Sequence, residues 1–182
     1  TAFRTAGLRL QPAVVIIPHD VQGMPATDPP RAHWVSRSSS VPASAAVTPP
    51  AAELHRAADV INAGERVTFI VGAGAAGATD EVLEAAARVD AGIVTTLRGK
   101  DVIPSEVPHH TQQLGLLGSL PSLHQMDRCD TLVLIGTNYP YGEFLPATGA
   151  ARAVQIDLKP EQLGIRYPTE VNLWGDARET LL

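Results

Sequence analysis

The stretch RVTFIVGAGAAGATDEV, Arg66–Val82, decides how the rest of the chain is read. RVTFIV is an apolar, β-branched run of strand length. It ends in Gly72-Ala73-Gly74-Ala75-Ala76-Gly77, a G-x-G-x-x-G spacing. The residues that follow carry helical periodicity, with Val82, Leu83, Ala86 and Val89 on one face. Strand, glycine turn and helix in that order open a unit of the dinucleotide-binding type. Small residues let a phosphate approach the backbone, and amides left unpaired at a helix start favour an anion. The competing reading is a tight turn without a ligand.

Outward from that turn the pattern repeats. AAELHRAADVINAGE reads as a helix that stops near Gly64, and GIVTTL, DTLVLIG, AVQIDL and EVNLWG read as strands, with a helix start at Asp176. Their runs are apolar on both faces and alternate with helices. The fold class expected is therefore α/β: a doubly wound, Rossmann-like parallel sheet of about six strands with helices on both faces. Before it, Thr1–Leu10 has a weak helical pattern, and PAVVIIP, Pro12–Pro18, reads as a short buried parallel strand. His19–Pro50 is rich in Pro, Ser and Ala, without a period. A boundary between two domains explains such a stretch better than a loop inside one. The expected organisation is residues 1–22 as the end of a preceding domain, 23–50 as a linker and 51–182 as the α/β domain. The start at Thr1, without Met, suggests an excised piece.

Composition narrows the partners. The 182 residues carry a net charge of -5 and no Lys/Arg-rich block, which argues against nucleic acid. The single cysteine, Cys129, rules out an intrachain disulfide and a Cys-rich zinc site, and fits a reducing cytoplasm. It reads as a buried apolar filler. No apolar run approaches the ~20 residues of a membrane span, and no signal peptide leads the chain. No histidine pair at i,i+4 suggests a metal; His109-His110 reads as a solvated loop.

The position of the carboxylates is informative. An ordinary nicotinamide site places Asp or Glu at the end of the second strand, about 20 residues past the glycines. Here that strand ends Thr95-Thr96-Leu97-Arg98, which leaves a 2′-phosphate cofactor as a minor option. Instead AVQIDL ends in Asp157, either a helix cap or a group beyond the sheet's switch point. A nucleotide reaching from the glycine turn to Asp157 would cross the carboxyl ends of several strands. TLRGKD, QQLGLLGS and GTNYPYGEFLP supply three further loops, placing four candidates at one edge.

Taken together, GAGAAGA, TTLRGKD, GLLGSLPSLHQMDRCDTLVLIGTNYPYGEFLP, AVQIDLKPEQLG and LWGDARETL resemble the central domain of thiamine diphosphate-dependent enzymes, nearest the pyruvate oxidase and pyruvate:quinone oxidoreductase branch. RTAGLRLQPAVVIIPHDVQ resembles the end of that family's N-terminal pyrimidine-binding domain. The resemblance implies a cytoplasmic, usually tetrameric enzyme, in part peripheral to the membrane, that decarboxylates a pyruvate-like 2-oxo acid on thiamine diphosphate with magnesium. In flavin-containing members the central domain holds extended FAD. Carried over by motif, Gly72, Ala73, Gly74 and Ala75 would lie near the diphosphate. Thr96, Leu97, Arg98 and Gly99 would follow, then Leu114, Gly115 and Leu116, then Gly136, Thr137, Asn138 and Tyr139. Asp157 and Asp176 would face the adenosine. The resemblance assigns no catalytic residue and no metal ligand to this chain, because those groups belong to the other domains. One departure is Gly142, where the oxidase pattern carries Arg. It favours the rival reading, a vestigial nucleotide fold serving as scaffold or regulatory domain in a non-redox lyase or synthase.

Overall fold

In the computed structural model, residues 1–9, 11–25 and 46–182 are described. They belong to two units, Thr1–Ala45 and Ala46–Leu182. In the first, helix α1 (Ala2–Arg9) buries no residue, and a single turn, α2 (His19–Gln22), follows. The run between them is not the buried strand expected from its composition: Val14 is 83% and Ile16 87% exposed. The physical reason is pairing. A parallel strand needs neighbours for its N–H and C=O groups, and among the described residues none pairs with this run. Most of the expected linker lies outside the described residues.

The second unit is built on a six-stranded parallel sheet. Its strands are β1 (Val67–Val71), β2 (Gly92–Thr95), β3 (His110–Gln113), β4 (Thr131–Ile135), β5 (Arg152–Asp157) and β6 (Val171–Trp174). They lie in the order β3-β2-β1-β4-β5-β6. The centre, β1 and β4, is buried at every position, which is why both read as continuous apolar runs. Side chains alternate between two cores. Phe69 and Val71 face α3 (Ala51–Asn62), α4 (Thr79–Arg88) and α6 (Ala177–Leu181), while Ile70 faces α5 (Leu120–Arg128) through Met126. Helices thus cover both faces of the sheet.

Two elements lie outside the sequence-level reading. Strand β3 is a short polar edge, HTQQ, in which His110 is buried rather than in a solvated loop. Its Nδ1 donates to the Pro104 carbonyl at 3.1 Å, leaving Nε2 to face the Thr95 hydroxyl at 3.3 Å. Helix α5 begins at a serine cap: Ser119 Oγ accepts the Ser122 amide at 3.1 Å and donates to the Thr111 carbonyl in β3. Cys129 is buried as expected, and burial pushes its thiol up to about 11.

Candidate functional site

Neighbouring strands deliver their loops to one edge. Past the strand ends the ladder continues: Gly72 N donates to Ile135 O, Thr96 N to Val71 O and Gly136 N to Ile156 O, each at 2.9 Å. The chain leaves β1 toward β2 and leaves β4 toward β5, so β1 and β4 flank the switch point where open α/β sheets form a crevice.

The glycine turn works differently from the expectation. Ala73–Ala75 is a 3-10 turn, and α4 starts only at Thr79. The amides expected to be free are engaged: Gly74 N with Gly136 O, Ala75 N with Gly72 O, Ala76 N with Ala73 O and Ala78 N with Ala75 O. What requires glycine is backbone contact between loops. A Cβ on Gly74 would sit 2.8 Å from the Gly136 Cα, and Gly136 itself has φ +59°. A Cβ on Gly99 would meet the Gly72 Cα at 2.8 Å. Three loops are therefore pressed together under the crevice.

Above them lies a groove of about 690 Å³. Gly74 and Asp157 both line it. Its middle is Ala73, Gly136 and Thr137, over the switch point. Toward β5 it is polar, with Asp157, Lys159, Gln162 and Asn138. Toward β2 and β3 it is largely apolar: Leu97, Leu114, Gly115, Leu116 and Leu117 line it with Tyr139, Pro140 and Tyr141, beside Thr96, Arg98 and Gln113. Of the residues singled out by motif, all reach this groove except Gly72, Ala75, Gly99 and Asp176. Gly99 and Ala75 are buried. Asp176 caps α6 instead, its Oδ1 accepting the Arg178 amide at 2.9 Å. Lys159, Gln162, Gln113, Leu117, Pro140 and Tyr141 are additions to the motif set; Lys159 follows a strand-terminal Asp by two residues, the one signal that pointed to it.

Polar groups in the groove are held from below. Buried Gln155 on β5 donates from Nε2 to Thr137 O at 3.1 Å and accepts Gly164 N on Oε1 at 2.8 Å, tying the loop after β4 to the one after β5. Asn138 Nδ2 donates to Gln162 Oε1. Asp157 Oδ1 accepts the Lys159 amide at 2.9 Å, a local turn rather than a helix cap. Burial raises the Asp157 carboxyl above the usual range, against the opposing pull of the Lys159 amide and ammonium. Among the described residues, Tyr139 Oη and Asn138 Oδ1 are buried without a hydrogen-bond partner. Groups of three or more His, Cys, Asp or Glu able to hold a metal are absent among the described residues.

Residues 54–182 match the family described as thiamine pyrophosphate enzyme, central domain. The chain belongs to that family. This thiamine pyrophosphate enzyme central domain and its flanking residues are 36% identical over 182 residues, 100% of the chain and 44% of the relative, to an uncharacterized 42.6 kDa protein of Pseudomonas amyloderamosa. They are 27% identical over 99% of the chain and 30% of the relative to pyruvate oxidase of Lactiplantibacillus plantarum. A putative thiamin diphosphate-dependent enzyme from Mycobacterium smegmatis, solved by X-ray methods, superposes with TM-score 0.62 at 26% identity, over 83% of this chain and 29% of that one. The chain spans less than half the length of these relatives. No helix among the described residues is long and apolar enough to cross a membrane.

Proposed function

We propose that this chain is the FAD-binding and scaffolding part of a thiamine diphosphate-dependent oxidase or decarboxylase acting on a pyruvate-like 2-oxo acid. The observation that carries the reading is the single groove lined by both Gly74 and Asp157, running across the switch point from a polar to an apolar end. That polarity suits an extended cofactor with an adenosine at one end and a flat ring at the other. The residues fit it: Asp157 and Lys159 offer an acceptor and a cation, and the apolar end contains the unpaired hydroxyl of Tyr139. FAD, when bound, supplies the redox chemistry. The chain's own part is to bind and orient it, with Gln155 fixing both walls. Thiamine diphosphate, magnesium and the 2-oxo acid would be bound by parts of a larger, cytoplasmic, homotetrameric enzyme outside this chain. Residues 1–22 would close the preceding pyrimidine-binding domain and residues 23–50 would link it to the domain at 51–182.

The test is FAD titration into the full-length protein, read by visible absorbance and by decarboxylation of a 2-oxo acid. The expected result is stoichiometric flavin retention. Full decarboxylase activity without any flavin binding would overturn the flavin part. It would leave the second reading, a nucleotide fold kept as scaffold. Two observations favour that alternative: Gly142 sits in open space where a cation would be expected, and the amides of Gly72, Gly74, Ala75 and Ala76 in the glycine turn are used within the protein.

A further inference from the structure

Tyr139 is 3% exposed, yet its side chain lines the groove. Its hydroxyl is buried with no hydrogen-bond partner among the described residues. Buried polar atoms are nearly always paired, so one left unpaired beside a groove calls for an explanation. The atom next to it is also specific. Gly115 has φ +117°, and a Cβ there would stand 2.7 Å from Tyr139 Oη. Glycine at 115 therefore leaves room for the hydroxyl where it stands, since any side chain there would collide with it. Leu114 packs in the same core cluster as Tyr139, Leu116 and Leu117 line the same groove, and the Tyr141 ring meets the Tyr139 ring edge-on at 5.6 Å.

We infer that the Tyr139 hydroxyl recognises the ring end of the groove's ligand, donating a hydrogen bond to a neutral acceptor on a planar heteroaromatic system, a carbonyl oxygen or a ring nitrogen. The inference rests on the FAD reading above and adds the group that distinguishes a ring-bearing dinucleotide from a bare adenine nucleotide. Burial, with Glu143 and Tyr141 adding to it, pushes the phenol up to about 12, so the hydroxyl keeps its proton and acts as donor. The leucines that line the groove offer a ring apolar faces on which to lie.

The experiment uses full-length protein, wild type and Tyr139→Phe, with FAD and ADP as separate probes in calorimetric titrations, and a thermal melt of each protein without ligand. Loss of one hydrogen bond to a neutral acceptor weakens FAD about five- to tenfold in the variant. ADP, which lacks the ring, binds both proteins alike. The ligand-free variant melts no lower than wild type, because the substitution removes an unpaired buried hydroxyl and no contact. Equal FAD affinity in the two proteins overturns the inference, as does an equal loss of FAD and ADP, or a variant that melts lower without ligand. Wild-type protein that binds ADP but not FAD also overturns it. Wild-type protein that binds neither refutes the cofactor reading itself and takes the inference with it, an outcome distinct from the others.

Discussion

At the scale of single residues, the glycines of the turn are explained by the loop beside them. Gly136 has φ +59°, and a Cβ on it would stand 2.7 Å from the Gly74 Cα. Gly136→Ala is expected to cost about 1–3 kcal/mol of stability, as a strained left-handed residue does. Thermal denaturation checks it, and an unchanged melting temperature would refute the packing argument. Asp157 gives a pH test. Its folded carboxyl is raised above its unfolded value by burial, so the charged form costs stability at neutral pH. That cost disappears as the pH falls through the raised pKa and below the ordinary carboxyl range. Asp157→Asn keeps an acceptor for the Lys159 amide, so the variant should be at least as stable as wild type at neutral pH and equal to it in acid. It should also bind ADP more weakly. A variant less stable at neutral pH would contradict the assignment. The glycine spacing and Asp157 were legible in the sequence because each closes an apolar run. The purpose of the glycines was not, because Gly136 meets Gly74 only once the strands align.

At the scale of elements, apolar runs reported the buried strands well and the edge poorly. β1 and β4 have two covered faces, so their sequences contain no polar alternation to obscure them. β3 is a four-residue edge with two glutamines, and nothing local distinguishes it from a loop. PAVVIIP shows the opposite error: an apolar, β-branched run is strand-like in composition, but pairing depends on partners that composition does not contain. Ser119 connects the edge to the helix packed on it, since its hydroxyl both caps α5 and bonds Thr111 in β3. Ser119→Ala should cost about 1 kcal/mol or more, above an ordinary cap because the β3 contact goes with it. Denaturant unfolding measures the loss, and amide hydrogen exchange should rise in His110–Gln113 more than in β1. Uniform exchange across the sheet would mean the serine has no such double role.

For the whole molecule, the α/β unit extends a little upstream of its first helix. Val47 O accepts the Asp176 amide at 2.8 Å, and Pro49 packs where a Cβ on Gly175 would stand. A protein of residues 46–182 is expected to unfold in one cooperative step, while one starting at residue 51 should melt lower because both contacts are lost. Equal melting would show that the added residues contribute nothing. The doubly wound parallel class followed from the alternation of elements, whereas the polarity of the groove depended on which side chains the loops turn inward. That polarity underlies the functional proposal. Its most direct test is an experimental structure of the full-length protein with FAD. The account predicts one extended cofactor with its adenosine against Asp157 and its ring beside Tyr139. Cofactor density elsewhere, or a groove that stays free of flavin at saturating FAD, would contradict it.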